Sequence, residues 1–128
     1  MSAKVLVIED NPTNLYLMEY LLTSFGYAVL TAGNGDVGLS IAAREQPDLI
    51  ICDIQMPVMD GYEFIRQIKE HPQLSTTPVV AITAFAMVDD QQKMLSAGFD
   101  NYLSKPIDPR TFKEKMLNFL SINQQHAG

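Results

Sequence analysis

Several side chains that could bind a metal ion or an anion follow short apolar segments of this 128-residue chain. They are Glu9 and Asp10 after VLVI, Asp53 after LIIC, Thr83 after VVAI, and Lys105 after NYLS. Like charges about 4 Å apart repel by roughly 4 kcal/mol at an effective dielectric of 20. If the three acids meet, they need a cation, a proton or a salt bridge. Oxygen ligands without His or Cys favour Mg²⁺, and Lys105 can offset a further charge.

The apolar segments themselves are typical of strands. Val5–Ile8, Leu49–Cys52 and Val79–Ile82 are apolar at consecutive positions, which predicts burial on both faces, as in the centre of a parallel sheet. Ala28–Thr31 and Asn101–Leu103 are weaker candidates, and we expect them nearer the edges.

Helical patterns lie between these segments. The first predicted helix has Pro12 in its first turn and stops at Gly26, and the last begins at Pro109. Val37–Glu45 is a plausible second helix, and Met87–Ala97 has the weakest apolar stripe. Repeated βα units predict an α/β fold with a doubly wound parallel sheet, helices on both faces and right-handed crossovers. Such sheets bind ligands outside the carboxyl ends of their strands, which is where the polar residues lie.

Composition and charge exclude several classes of protein. Fifteen acidic and nine basic residues give a net charge of −6, and no basic cluster suggests nucleic-acid binding. The N-terminus resembles neither a signal peptide nor a membrane span. Cys52 is the single cysteine, so an internal disulfide is impossible, which fits a cytoplasmic location. The expected partners are proteins and metal cations.

Four pieces of sequence together resemble the receiver domain of two-component response regulators. They are Glu9–Asp10–Asn11, Asp53 within DIQMPVMDG, Thr83–Ala84 and Lys105–Pro106. The similarity in order and spacing runs from about residue 4 to residue 120. It implies a flavodoxin-like fold of five strands in the order 2-1-3-4-5 with five helices. It also implies a signalling switch that receives a phosphoryl group from a partner's phosphohistidine.

The resemblance implies a role for each acid. Asp53 would be the phosphoryl acceptor, attacking as a carboxylate nucleophile. Asp10 and Asp53 would ligate Mg²⁺ directly, Glu9 would hold a metal-bound water, and the backbone carbonyl of Gln55 would supply another oxygen. The metal would screen the incoming phosphoryl oxygens from the carboxylates.

The remaining site residues are implied in the same way. Lys105 and the hydroxyl of Thr83 would bind phosphoryl oxygens. Tyr102 would be the switch aromatic that turns inward when Thr83 moves, and the Lys105–Pro106 bond would be cis. Gln55 and Phe85 occupy positions that tune phosphoryl lifetime in the family, and we expect slow hydrolysis because Phe85 would exclude water.

The predicted organisation is a receiver domain over residues 1–122 and a short polar tail over 123–128. We expect a monomer phosphorylated by a sensor histidine kinase or a histidine phosphotransfer protein, with no nucleic-acid or membrane partner. Its output would be contact with a downstream protein through the fourth helix, fifth strand and fifth helix, around Tyr102 and Arg110. Leu15 is either core or part of a docking patch beside Pro106. The start at Met1 and the short tail favour a single-domain protein over a receiver cut from a hybrid histidine kinase or larger regulator.

Two other functions are weaker. A Mg²⁺-dependent phosphatase with an Asp nucleophile would need an acid where Gln55 stands, so we do not expect an enzyme beyond self-phosphorylation and slow dephosphorylation. A flavodoxin-like cofactor carrier would need a phosphate-binding loop where Glu9–Asp10–Asn11 stands. The structural alternatives are that acids at strand ends only cap helices, that Cys52 is a packed apolar residue, and that Asp60–Gly61 is a cap and turn.

Overall fold

A computed structural model describes residues 2–56, 59–84 and 88–127, with the side chains of residues 88 and 122–127 left out of the description. Strands and helices alternate along the chain. They are β1 Lys4–Ile8, α1 Pro12–Ser24, β2 Ala28–Ala32, α2 Gly35–Glu45, β3 Leu49–Asp53, α3 Gly61–Glu70, β4 Val79–Thr83, α4 Val88–Ala97, β5 Asn101–Ser104 and α5 Pro109–Ala127.

The five strands form one sheet in the order β2-β1-β3-β4-β5, and every neighbouring pair is parallel. This confirms the predicted doubly wound fold. The two segments with the weaker strand pattern are the edge strands, as expected, because an edge strand needs less apolar surface than a central one. In the register, Asp53 pairs with Ile82 and Thr83 pairs with Ser104. The ends of β3, β4 and β5 therefore lie close together.

Alternate residues of each strand enter two separate cores, one on each face of the sheet. One core contains Leu6 and Ile50 with side chains of α2, α3 and α4. The other contains Val7 and Ile51 with side chains of α1 and α5. Cys52 is fully buried in the first core, which confirms that it is a packed apolar residue. Burial on both faces accounts for the continuous apolar runs of the central strands.

Local hydrogen bonds define where the helices that follow β1 and β3 begin. The Asn11 side chain accepts a hydrogen bond from the backbone N–H of Asn14 at 3.0 Å and caps α1. The Asp60 side chain accepts one from the N–H of Glu63 at 2.9 Å and caps α3. Gly26 follows α1 with φ of 99°, a value that suits glycine. These caps confirm the predicted roles of Asp60 and Gly26.

Two helix bounds differ from the predictions, and a third is not tested. The structure begins α2 at Gly35, two residues before the predicted start at Val37. Met87, the predicted start of the fourth helix, lies outside the described residues. The backbone of α5 continues to Ala127 through most of the segment predicted as a tail. It can do so because no Gly or Pro interrupts the sequence after Pro109 until Gly128. The division into a domain and a tail remains a prediction.

The lack of a side chain at Gly61 allows the start of α3 to pack closely against the backbone at the end of β3, and a larger residue there should destabilise the fold. A Cβ atom at this position would lie 2.7 Å from Cα of Ile54 and 3.0 Å from the carbonyl oxygen of Asp53. Both are backbone atoms, so Gly61→Ala should lower the free energy of unfolding by about 1 kcal/mol or more in urea titrations. Gly33→Ala is the control, since nothing lies within 4 Å of a Cβ there. Equal effects of the two substitutions would contradict the prediction.

Candidate functional site

Three carboxylates meet at the carboxyl edge of the sheet. Glu9 and Asp10 follow β1, and Asp53 is the last residue of β3. One oxygen atom from each lies within 4.8 Å of the others. Glu9 is 1% exposed and Asp53 is 2% exposed, whereas Asp10 is exposed to solvent. The structure therefore brings the three predicted acids together, with two of them almost wholly removed from water.

Lys105 and Thr83 complete the group. The Nζ atom of Lys105 lies 2.8 Å from Oδ2 of Asp53 and 3.3 Å from Oε2 of Glu9. The backbone N–H of Lys105 donates to the carbonyl oxygen of Thr83 at 2.8 Å, which fixes the lysine beside the end of β4. Thr83 is 5% exposed. One ammonium group thus faces two buried carboxylates, so part of their charge is left uncompensated.

Backbone N–H groups orient the two buried carboxylates. The N–H of Gln55 donates to Oδ1 of Asp53 at 2.9 Å, while Lys105 donates to Oδ2. The N–H of Asn11 donates to Oε1 of Glu9 at 3.1 Å. Both donors lie two residues after the acid they bind, so the turn that leaves each strand also sets the direction of its carboxylate.

The second oxygen of Glu9 lacks such a donor. Oε2 is buried and has no hydrogen-bond partner in the part of the chain that the structure describes, and its 3.3 Å approach to Lys105 is an ion-pair contact. Burial, with the nearby Asp53, raises the pKa of Glu9 to about 7 against the opposing effects of the Asn11 N–H and Lys105. Partial burial lowers the pKa of Lys105, but Asp53 and Glu9 outweigh it and leave that pKa raised.

These features fit a hard divalent cation. The donor set is all oxygen, which Mg²⁺ prefers, and Mg²⁺ commonly uses one or two carboxylates and several waters. Oε2 of Glu9 accepts no hydrogen bond from the described residues, which leaves room for a further positive charge or donor, because buried polar groups are otherwise hydrogen-bonded. Asp10 is exposed and leaves the group open to water.

The raised pKa of Glu9 predicts how stability depends on pH in the metal-free protein. A carboxyl whose pKa rises from 4.5 to about 7 on folding binds protons more readily in the folded state. Stability conferred by its protonation is therefore present below pH 4.5 and is lost as the pH rises through about 7. Glu9→Gln should remove this dependence and make the metal-free protein more stable at pH 8.

Urea unfolding of the wild-type protein and variants at pH 5 and pH 8 in EDTA measures this effect. Glu19→Gln is the matched control, since Glu19 is an exposed residue of α1 and the substitution removes the same charge. Both histidines are present in every variant, so their contribution to the pH dependence drops out when the free energies of unfolding of two variants are subtracted. A Glu9→Gln profile parallel to that of the wild-type protein would count against the prediction.

The other predicted site residues lie around this centre. Tyr102 is half-buried and packs against the core of α2, α3 and α4, and the Lys105–Pro106 peptide bond is cis. The side chain of Gln55 is exposed. Phe85 lies outside the described residues, so its predicted effect on phosphoryl lifetime stays a prediction.

An apolar groove of about 370 Å³ opens beside the site. It is lined by Glu9, Asn14, Leu17, Met18, Ile82, Ala84, Lys105, Pro106 and Ile107. Leu15 is absent from this lining and packs, partly buried, against the core of α1 and α5, which favours its core alternative. Leu17, 40% exposed, is the α1 leucine on the groove. Apolar spacing alone did not separate these two leucines.

Comparisons with known proteins identify the class to which this fold and site belong. Residues 5–117 match the family model of the response regulator receiver domain, and the chain belongs to that family. It is a phosphorylation-activated signalling switch of the two-component kind. Receiver domains interact with histidine kinases or phosphotransfer proteins and with downstream targets, and they are switches rather than enzymes in the usual sense.

Individual relatives agree with this assignment. The polar-differentiation response regulator DivK of Brucella anthropi is 37% identical over 120 residues, covering 94% of this chain and 98% of the relative. The chemotaxis protein CheY4 of Vibrio cholerae matches with a TM-score of 0.88 and 30% identity, over 93% of this chain and 99% of that one. The receiver domain of the sensor histidine kinase PA1611 from Pseudomonas aeruginosa has a TM-score of 0.86 and 31% identity, over 94% and 99%. That structure contains a magnesium ion coordinated in its active site cleft.

No helix among the described residues combines the length and apolar character needed to cross a membrane.

Proposed function

We propose that Asp53 is the residue phosphorylated in this switch. The observation that carries the proposal is a buried carboxylate held by Lys105 at 2.8 Å, in the same group as Glu9 and Asp10. An Asp53 oxygen forms the bond to phosphorus as the bond from phosphorus to the histidine nitrogen breaks. The nitrogen leaves with the electron pair, and the product is an acyl phosphate.

Mg²⁺ is the proposed cofactor. Asp10 and Asp53 would bind it directly, Glu9 would bind it through a water, and the Gln55 carbonyl would supply a further oxygen. The ion supplies charge stabilisation for the transferring phosphoryl group. The close carboxylate oxygens and the orphaned Glu9 oxygen support this assignment, as does the magnesium ion in the cleft of the PA1611 receiver domain.

Lys105 and Thr83 are proposed to bind the phosphoryl oxygens once the group has arrived. Lys105 is already positioned at Asp53, and Thr83 lies at the end of the adjacent strand. Turning Thr83 toward the phosphoryl group frees space into which the Tyr102 ring moves. Changing the ratio of the active to the inactive arrangement from 1:99 to 99:1 takes about 5.5 kcal/mol of differential binding. Charge-assisted hydrogen bonds to the phosphoryl oxygens are suited to supply much of this free energy.

The phosphohistidine of a sensor histidine kinase or phosphotransfer protein is the proposed donor. An apolar surface of the donor protein would pack into the groove beside Pro106. Lys105 and Glu9 line the same groove, so the phosphohistidine would lie near the site. The signal would then leave by contact of α4, β5 and α5 with a downstream protein in the cytoplasm. The receiver domain over residues 1–122 would carry out both steps as a monomer.

Incubation with acetyl phosphate and Mg²⁺, followed by intact-mass measurement, tests the proposal. We expect one phosphoryl adduct that depends on Mg²⁺, and peptide mapping after borohydride reduction should locate it at Asp53. An adduct at Asp10 or at any other residue would contradict the assignment.

A further inference from the structure

A second cleft, of about 320 Å³, lies between the start of α3 and α4, next to the ends of β3 and β4. Its polar lining includes Gln55, Asp60, Tyr62, Thr83, Asp90 and Lys93. Thr83 therefore lines the same cleft as Asp90, Lys93 and Met94 of α4. A change in the position of α4 would alter the surroundings of the residue that is proposed to bind the phosphoryl group.

Among the side chains of α4 that the structure describes, two apolar ones pack against the core. Met94 is fully buried in the core of α2, α3 and α4, and Ala97 packs against the same core while partly exposed. Leu95 is 51% exposed, and Asp89 and Asp90 lie in the first turn of the helix. A helix that buries little apolar surface opens more easily than one that buries much. A contact with a neighbouring helix therefore helps to fix the position of α4.

Tyr62 provides such a contact from α3. The Nζ atom of Lys93 lies 4.7 Å from the centre of the Tyr62 ring, a cation–π arrangement. The ring also contacts Phe99, whose centroid lies 6.1 Å away at an interplanar angle of 77°. Phe99 is 2% exposed and lies in the segment between α4 and β5. Tyr62 therefore joins α3 both to α4 and to the segment that leads into β5.

The charges around the ring favour this arrangement. Burial raises the pKa of the Tyr62 phenol, and the carboxylates of Asp90 and Asp60 raise it further. The phenol is therefore uncharged near pH 7, and Lys93 lies over the face of a neutral aromatic ring. Lys93 lines the same cleft as Asp60 and Asp90, so this cleft carries charges of both signs beside the ring.

We propose that Tyr62 is a positioning residue of the switch. Through Lys93 it holds α4 in the arrangement of the unmodified chain, the state in which Lys105 binds the free Asp53 carboxylate. Because the contact stabilises that state, it opposes the change that follows phosphorylation. This inference rests on the proposed function, since it assumes that Asp53 and Thr83 bind the phosphoryl group.

Binding of beryllofluoride, a non-covalent analogue of the phosphoryl group, tests the proposal in the presence of Mg²⁺. Lys93→Met keeps a long side chain but loses the charge, and it should bind beryllofluoride about two- to five-fold more tightly. Lys93→Arg keeps a cation over the ring and should bind like the wild-type protein. Lys113→Met, which removes an exposed charge from α5, is the control and should also bind like the wild-type protein.

A second measurement separates positioning from general destabilisation. Amide hydrogen exchange without beryllofluoride should be faster in α4 of Lys93→Met and unchanged in α1. Adding Lys93→Met to Tyr62→Leu should change the affinity little, because Tyr62→Leu has already removed the ring over which Lys93 lies. Wild-type affinity in Lys93→Met, or an equal gain in Lys93→Arg, would overturn the inference alone. Failure of the wild-type protein to bind beryllofluoride would overturn the proposed function with it.

Discussion

Replacing Asp53 by Asn is expected to abolish phosphorylation by acetyl phosphate. The substitution replaces the carboxylate nucleophile by a neutral amide and removes one proposed ligand of Mg²⁺, while the side chain keeps its shape. The amide would also retain a carbonyl oxygen able to accept the hydrogen bond of Lys105 or of the Gln55 N–H. The variant should therefore fold, and far-ultraviolet circular dichroism should match the wild-type spectrum. The measured quantity is the fraction of protein carrying a phosphoryl adduct, by intact mass.

Asp36→Asn is the matched control for this experiment. Asp36 is an exposed residue in the first turn of α2, outside the acidic group. The same chemical change there should leave the phosphorylated fraction unaltered. A phosphoryl adduct that persists in Asp53→Asn at wild-type extent would show that another group is the acceptor.

Millimolar Mg²⁺ is expected to stabilise the folded protein substantially. The proposed site is a group of carboxylates that is assembled only in the folded state, so binding there would make stability rise with the Mg²⁺ concentration. At 100 times the dissociation constant the gain is about 2.7 kcal/mol. Urea or thermal unfolding with Mg²⁺ or with EDTA measures the gain directly.

Asp10→Asn distinguishes specific binding from a general effect of the salt. Asp10 is exposed, so the substitution should not disturb the core, but it removes a proposed direct ligand. The variant should lose most of the stabilisation by Mg²⁺, whereas Asp36→Asn should retain it. Equal stabilisation of the two variants would mean that Mg²⁺ does not bind at the acidic group.

Much of the fold could be predicted because burial leaves a clear pattern in the sequence. Strands covered on both faces require apolar residues at every position, and Val5–Ile8 and Leu49–Cys52 satisfy this requirement. The end of α5 was harder to predict, because its last turns have few apolar residues and their helical backbone has no distinctive pattern. Leu15 and Leu17 lie on nearly opposite faces of α1, and which face borders the groove depends on how α1 packs beside Pro106, which apolar spacing does not define.

The site was predictable to the extent that it follows from topology. Parallel strands place their carboxyl ends on one edge, and the strand order that the resemblance implies makes β1, β3 and β4 neighbours, which brings Glu9, Asp53 and Thr83 close together. The lack of a hydrogen bond to Oε2 of Glu9 among the described residues and the raised pKa of this carboxyl could not be predicted. Both depend on how deeply the side chain is buried and on which donors surround it in the folded chain. The contact between Tyr62 and Lys93 was also missed. The two residues lie on different helices, and no local pattern relates them.

The placement of the site residues in the sheet divides the site into two halves of unequal rigidity. Asp10 and Asp53 adjoin β1 and β3, which have neighbours on both sides, whereas Lys105 follows β5, which lies at the margin. Fraying of a marginal strand costs less free energy than opening a central one. Brief detachment of β5 would therefore withdraw the lysine while the acids stay assembled. Mg²⁺ should therefore still bind while β5 is detached, whereas the contact of Lys105 with the phosphoryl group is lost. On heating, binding of the phosphoryl group should weaken at a lower temperature than binding of Mg²⁺.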